Sequence, residues 1–126
     1  MNQLLSTTVV NECRKRLLQM KQELLNRARA GRAEFALNDK HSGDEIDQSV
    51  AFLSEHNFLV NQERIRSQLL EIEFALGRIE RGEFGICEET YELIETDRLF
   101  AIPYTRLSIE GAEIRESIRK RFAILE

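Results

Sequence analysis

The sequence has few of the residues that build disulfide-rich, aromatic-rich or membrane-spanning proteins. It contains no tryptophan, one proline, six glycines and two cysteines. Cys13 and Cys87 lie in segments of different character, so they form neither a disulfide framework nor a two-pair metal pattern within one chain. No stretch approaches the roughly 18 apolar residues of a membrane span, and the N-terminus lacks the pattern of a secretory signal. We therefore expect a cytoplasmic protein with reduced thiols and no membrane association.

The charge balance gives little support for a nucleic-acid surface. The chain has 18 basic and 22 acidic side chains, and its net charge of -4 leaves no excess of cations to neutralise phosphates. Arg27, Arg29 and Arg32 form only a local basic cluster. We expect no direct sequence-specific DNA binding. With 126 residues, of which 42% are apolar and 32% charged, the composition is typical of one folded domain with solvated helices.

Two helical stripes occupy the first two thirds of the chain. In the first, from residue 2 to about 37, apolar residues recur at steps of three and four, at Val10, Cys13, Leu17, Met20, Leu24 and Ala28. The second is a heptad seam of Phe58, Gln62, Ile65, Leu69, Ile72, Leu76 and Ile79. A short segment rich in turn formers, 38–44, makes the two helices antiparallel neighbours. The second helix, expected from Asp47 to Ile79, would be about 48 Å long and too thin to enclose a substrate pocket.

The last third begins with a reversal of the chain. Gly82 and Gly85 end the second helix and permit a tight turn. Pro103 excludes the interior of a helix at its own position. After it, a final amphipathic helix is expected to pack against the base of the coiled coil through Ile109, Ile114, Ile118, Phe122 and Leu125.

The run Gly82-Glu83-Phe84-Gly85-Ile86-Cys87, followed by Ile94, Arg98-Leu99, Ala101 and Pro103, resembles the zinc-finger signature of the DksA/TraR family. The resemblance implies four metal-ligand positions, which fall here at Cys87, Thr90, Ser108 and Gly111 with the family's spacing kept. Because one thiolate cannot hold a tetrahedral zinc ion that takes four nitrogen or sulfur donors, we predict no metal and no other cofactor.

Apolar packing is expected to replace the zinc ion in this segment, which we call the knuckle and which runs from Gly82 to the final helix. Its expected core consists of Tyr91, Leu93, Ile94, Leu99, Phe100, Ile102 and Leu107. Cys87 would be a small buried hydrophobe or, alternatively, a redox sensor.

A second point of resemblance lies between the two long helices. The run Asp44-Glu45-Ile46-Asp47-Gln48-Ser49 is similar to the family's acidic tip motif, with Ser49 where alanine is common. These residues would also suit a helix N-terminus, where acidic and hydroxyl side chains cap the backbone. The separation of Asp44 and Asp47 from Cys87 agrees with the family without a gap, and this agreement favours the tip interpretation.

The resemblance implies an all-α protein in two parts. Residues 1–81 would form a long antiparallel coiled-coil hairpin with its tip near 38–49. Residues 82–126 would form a small globular, zinc-finger-like knuckle and a C-terminal helix.

The function implied by the resemblance is regulatory, and we expect no enzyme activity. Members of the family insert the coiled coil into the secondary channel of bacterial RNA polymerase and modulate initiation. Asp44, Asp47 and Ser49 would be the effector residues of the tip, and Arg64 a possible contact on the shaft. The competing hypothesis is a structural or chaperone-like coiled-coil module that binds another partner.

The same resemblance predicts weak or absent dependence on the nucleotide ppGpp. Family members hold ppGpp against the polymerase with basic side chains near the knuckle. The corresponding residues here are Glu71, Ile102 and Ala112, none of which attracts a polyphosphate.

Overall fold

A computed structural model of the chain describes residues 5–41 and 48–125. The elements in chain order are α1 (Thr7–His41), α2 (Gln48–Glu80), α3 (Thr96–Ala101) and α4 (Ile109–Leu125). The β pairing in these ranges is one isolated antiparallel bridge between Ile86 and Leu93. The predicted all-α class is confirmed. α2 ends at Glu80, one residue beyond the predicted end, and its predicted start at Asp47 lies outside the described residues.

The chain divides into two compact units. The first unit consists of Met1–Leu18 and Glu71–Glu126, and the second of Gln19–Leu70. The predicted division into a coiled-coil hairpin, 1–81, and a knuckle with a C-terminal helix, 82–126, stays a prediction. None of the helices in the described ranges is long and apolar enough to cross a membrane.

In the second unit α1 and α2 pair along the predicted stripes. Ala28 on α1 is buried, while Phe58 and Gln62 on α2 are half-buried. The rings of Phe35 and Phe58 stack with centroids 4.3 Å apart and planes 7° from parallel. The Nε2 of Gln62 donates a hydrogen bond of 3.3 Å to the carbonyl oxygen of Ala28. Phe35, late in α1, contacts Phe58 of α2, whereas Ala28, earlier in α1, contacts Gln62, which comes after Phe58. The two helices are therefore antiparallel, as predicted.

Gly31 permits the Gln62 side chain to lie across α1. A Cβ atom at residue 31 would stand 2.9 Å from the Nε2 atom of Gln62, which is closer than real Cβ contacts allow. The polar side chain of Gln62 fits into the seam because Gly31, on the facing helix α1, has no side chain.

The first unit contains most of the buried core. Cys13 and Leu17 of α1 and Ile72, Ala75 and Ile79 of α2 are buried, which confirms the predicted stripes in this part of the chain. The knuckle adds a second group of buried residues: Phe84, Cys87, Ile94, Leu99 and Pro103.

Arg16 links α1 to α3 within this unit. Its Nη1 donates to the carbonyl oxygen of Phe100 at 2.8 Å, and its guanidinium lies over the Phe100 ring, 4.7 Å from the centroid. Glu12 accepts a further hydrogen bond of 3.0 Å from Nε of the same arginine. The cation therefore contacts a carbonyl, a ring and a carboxylate together.

The end of α2 is a Schellman motif, in which a residue with positive φ and the residue after it each donate a backbone hydrogen bond to the last turn of the helix. Gly82 has φ of 72°, and its N–H donates to the carbonyl of Ile79 at 3.1 Å. The N–H of Glu83 donates to the carbonyl of Arg78 at 2.9 Å. Gly85 also has positive φ, at 87°, and the side chain of Leu5 occupies the place of its missing Cβ. The predicted reversal at two glycines is confirmed.

Two packing predictions are wrong. Tyr91 is 81% exposed and follows a turn, with φ of 60°, and its N–H donates to the carbonyl oxygen of Cys87 at 2.9 Å. On α4, Ile109, Ile114, Ile118 and Phe122 are all exposed. Between 109 and 124, where the structure describes burial on α4, the buried residue is Gly111 at the start, and Ile114, Ile118 and Phe122 on the later turns are exposed.

Candidate functional site

The four positions that correspond to metal ligands lie together in the knuckle and at the start of α4. The hydroxyl of Ser108 and the backbone N–H of Thr90 each donate to the sulfur of Cys87 at 3.4 Å. The N–H of Gly111 donates to the Ser108 oxygen at 3.0 Å, in the manner of a helix N-cap. A Cβ atom at Gly111 would lie 2.5 Å from the Cys87 sulfur. Ser108, Thr90 and Gly111 are therefore packed directly against the Cys87 sulfur.

These donors do not fit a structural zinc ion. The set contains one thiol, two hydroxyls and a glycine without a side chain, whereas tetrahedral sites use four nitrogen, thiolate or carboxylate ligands. In the parts of the chain that the structure describes, no group of three or more His, Cys, Asp or Glu residues is placed to hold a metal ion. That the protein works without zinc stays a prediction, supported by the chemistry of this donor set.

The two cysteines have opposite electrostatic environments. For Cys87, burial raises the pKa, but the hydrogen bonds from Ser108 and Thr90 outweigh it and lower the pKa to about 6. For Cys13, burial raises the pKa above its ordinary value. Both thiols are free and buried. Cys87 therefore has thiolate character without exposure to solvent, and the alternative redox role stays open.

A network of ion pairs beside the knuckle was not predicted from the sequence. Arg106 contacts the carboxylates of Glu71 at 2.8 Å and Glu88 at 3.0 Å. Arg115 contacts Glu88 at 3.5 Å and Glu89 at 3.1 Å. The hydrogen bonds to Glu71 raise the pKa of Arg106. Partners this far apart in sequence leave no local pattern that would identify them.

Two further side chains adjoin this network. The Arg106 guanidinium lies over the ring of Phe74, 5.2 Å from its centroid. Arg78 donates to the carbonyl of Tyr104 at 3.4 Å, and burial together with repulsion from Arg106 lowers the pKa of Arg78. Arg78, Arg106 and Arg115 each contact a carboxylate or a carbonyl oxygen.

Three residues lie at the sequence positions where family members have basic side chains that hold ppGpp: Glu71, Ile102 and Ala112. Glu71 belongs to the ion-pair network through Arg106. Ile102 is the C-terminal cap of α3, and Ala112 lies in the first turn of α4. Neither of the last two has a side chain that could bind phosphate.

The predicted tip is described only in part. Asp44 and Asp47 lie outside the described residues, in the segment that joins α1 to α2. Ser49 has an exposed side chain at the start of α2. Arg64 is exposed farther along α2 and lines a shallow cleft together with Arg27 of α1. The roles assigned to these residues stay predictions.

No protein-family model matches the chain. The RNA polymerase-binding transcription factor DksA of Caulobacter vibrioides is 31% identical over 103 residues, which cover 82% of this chain and 72% of that protein. The solved structure of transcription factor DksA2 from Pseudomonas aeruginosa matches with a TM-score of 0.81 at 32% identity, over 92% of this chain and 88% of the other.

A second solved structure, an RNA polymerase binding protein and transcriptional regulator from Chlamydia trachomatis, matches with a TM-score of 0.51 over 90% of this chain and 93% of the other. Its 24% identity supports the fold alone. The family follows from the identity and coverage shared with the Caulobacter protein and agrees with the signature that begins at Gly82. This chain belongs to the DksA family.

Proposed function

We propose that this protein regulates transcription by binding bacterial RNA polymerase, with the tip of its helical hairpin inserted into the secondary channel. The observation that carries the proposal is the 31% identity to the RNA polymerase-binding DksA of Caulobacter vibrioides over 82% of the chain. The antiparallel pairing of α1 and α2 supports it, because the hairpin brings the end of α1 and the start of α2 together, and Asp44 and Asp47 lie between these two helices in the sequence. Such a protein works in the cytoplasm, where the polymerase is.

The proposed mechanism is electrostatic and involves no catalysis by this chain. A protein that contacts a mobile part of an enzyme changes its behaviour only if it binds one conformation better than another. A difference of about 1.4 kcal/mol shifts such an equilibrium tenfold. We assign the difference to the carboxylates of Asp44 and Asp47, with Ser49 beside them and Arg64 as a contact on α2. The expected result is a changed lifetime of open promoter complexes.

The proposed regulator functions without zinc. Support comes from the closure of the knuckle on Cys87, where Ser108, Thr90 and Gly111 occupy the places of the other three ligands. Burial of Phe84, Ile94, Leu99 and Pro103 supplies an apolar core. Each such side chain contributes about 1.5 to 3 kcal/mol of transfer free energy, which can offset the lost metal binding.

We also propose that the regulator responds weakly or not at all to ppGpp. A polyphosphate is bound by unneutralised cations with open donor geometry. Arg106 is already held by Glu71 and Glu88, and Arg115 by Glu88 and Glu89. The negative charge of Glu71 would repel the nucleotide at the position where family members have a basic residue.

Binding to purified polymerase tests the proposed partner and separates it from the alternative coiled-coil module. The immobilised full chain should retain core RNA polymerase, and a large excess of free chain should displace it. A chain that retains no polymerase at any salt concentration, while remaining helical by circular dichroism, would favour the structural or chaperone-like alternative.

A further inference from the structure

The face of α2 opposite its seam carries an uncovered apolar stripe. In the second unit, Phe52, Leu53, Leu59, Val60 and Leu70 have exposed fractions of 42% to 74%. At 100° per residue they lie on the side of the helix away from Phe58, Gln62 and Ile65, which face α1. We call these five residues the outer stripe.

The spacing of the outer stripe suits pairing with another helix. Phe52 and Leu59 are seven residues apart, as are Leu53 and Val60, and Leu70 continues the stripe three turns beyond Leu59. A seven-residue repeat keeps one face of a helix towards a partner helix over several turns. Phe52, Leu53, Leu59 and Val60 form one exposed apolar patch beside His56, and Glu63 and Ser67 separate this patch from Leu70. Exposed apolar patches mark interaction sites in soluble proteins.

The charges along the outer stripe select its partner. Glu55 and Arg66 are eleven residues apart, about three turns, and therefore lie on the same edge of the stripe. His56 and Glu63 lie within it. In an antiparallel pair of identical helices, like edges face each other. Reversal about Val60 therefore brings Glu55 to within about one residue of Arg66 of the second copy, and His56 to within about one residue of Glu63.

We propose that the outer stripe is a self-association surface, through which two copies of this chain pair antiparallel about a two-fold axis at Val60. Arg66 contacts Glu63 of its own chain at 3.6 Å, but an ion pair between exposed side chains is weak. Arg66 can therefore leave Glu63 and pair with Glu55 of the second copy. Covering the five partly exposed side chains removes roughly 500 Å² per copy, or about 1,000 Å² in total. That area is at the lower end of specific interfaces, so the dimer forms at high protein concentration.

Sedimentation equilibrium of the full chain over a range of concentrations tests the proposal. The average mass of the wild-type protein should rise towards that of a dimer. Val60→Glu puts a charge at the centre of the interface and should weaken association at least tenfold. Leu37→Glu, at an exposed apolar residue on α1 outside the outer stripe, is the control and should associate as the wild type does. A wild-type protein that stays monomeric throughout, or a Val60→Glu variant that associates normally, would overturn the proposal.

A charge exchange tests the antiparallel register. Glu55→Arg should weaken association by placing two arginines together, and Glu55→Arg with Arg66→Glu should restore it. Failure of the double variant to recover association would reject the two-fold arrangement about Val60. Circular dichroism checks that all variants keep their helical content.

These measurements use the purified chain without polymerase, so their outcome is independent of the proposed function. Polymerase retention is measured separately for the same variants. If the wild type is monomeric and Val60→Glu loses only polymerase binding, the outer stripe belongs to the polymerase contact and the self-association proposal fails.

Discussion

At the scale of single residues, Cys87 lies at the centre of the contacts that hold the knuckle together. Its sulfur accepts hydrogen bonds from Ser108 and Thr90, and Gly111 leaves room for it. Hydrogen-bond donors and a missing side chain thus occupy the positions of three cysteines. The sequence pattern located these four residues, but the contacts between them required the structure.

The depressed pKa of Cys87 predicts a dependence of stability on pH. With the pKa of the Cys87 thiol lowered from its ordinary value of 9.0 to about 6 in the folded chain, the unfolded chain keeps the thiol proton to a higher pH than the folded chain does. Between these values the unfolded state binds more protons, so stability should rise with pH. This contribution is fully present above pH 9.0 and is lost as the pH falls through about 6. Urea unfolding of the wild type and Cys87→Ser across this range measures it.

The difference between the two proteins isolates the thiol from all other titrating groups. We expect the wild-type midpoint to gain on that of Cys87→Ser as the pH rises. Parallel pH profiles for the two proteins would contradict a thiolate in the folded state.

Gly111 should tolerate no side chain, in contrast to Gly77. The added Cβ of Gly111→Ala would stand 2.5 Å from the Cys87 sulfur and 3.3 Å from the Cβ of Glu89. We expect a loss of about 1 to 3 kcal/mol in the free energy of unfolding. At Gly77 the added atom meets only the flexible end of Arg81 at 3.2 Å. Gly77→Ala should be neutral or stabilising by up to about 1 kcal/mol, because alanine favours helix. Equal effects in urea unfolding would refute the tight closure.

At the scale of elements, the pairing of α1 with α2 contains one polar contact, between Gln62 and the backbone of Ala28 at 3.3 Å. Gly31→Ala gains helix propensity but places a Cβ 2.9 Å from the Gln62 amide. Gln62→Ala removes that crowding. The double variant should therefore be more stable than the sum of the single changes predicts, by about 0.5 to 1 kcal/mol. Thermal unfolding of the four proteins in this cycle measures the coupling, and strict additivity would show that the two residues are independent.

The helices and the terminating glycines could be predicted because their signals are local. The stripe that contains Cys13 and Leu17 has a helical period, and Gly82 meets the positive φ that ends α2. Periodicity identifies the apolar face of a helix but not whether another element covers it. For that reason the predicted burial of Ile114 and Ile118 was wrong. The contact of Arg106 with Glu71 has no signature in sequence, since it depends on the fold of the whole first unit.

At the scale of the whole molecule, Glu71 should determine insensitivity to ppGpp. Glu71→Lys removes a carboxylate from Arg106 and adds a cation beside it, so transcription effects should become dependent on the nucleotide. Glu92→Lys makes the same change of charge at an exposed knuckle residue outside the network and should leave the response unchanged. In vitro transcription with and without ppGpp provides the comparison. Strong synergy between ppGpp and the wild-type protein would contradict the account.

The central claim is that the carboxylates of Asp44 and Asp47 alter RNA polymerase after this protein binds it. The most direct test is the lifetime of open promoter complexes with purified polymerase, measured with wild type, Asp44→Asn/Asp47→Asn and the control Glu34→Gln on α1. The account predicts that all three bind polymerase with dissociation constants within about twofold of one another. Their binding free energies then differ by less than the roughly 1.4 kcal/mol that corresponds to a tenfold change. Only the tip variant should lose the effect on lifetime. A tip variant with full activity, or a wild-type protein without effect on any promoter tested, would contradict it.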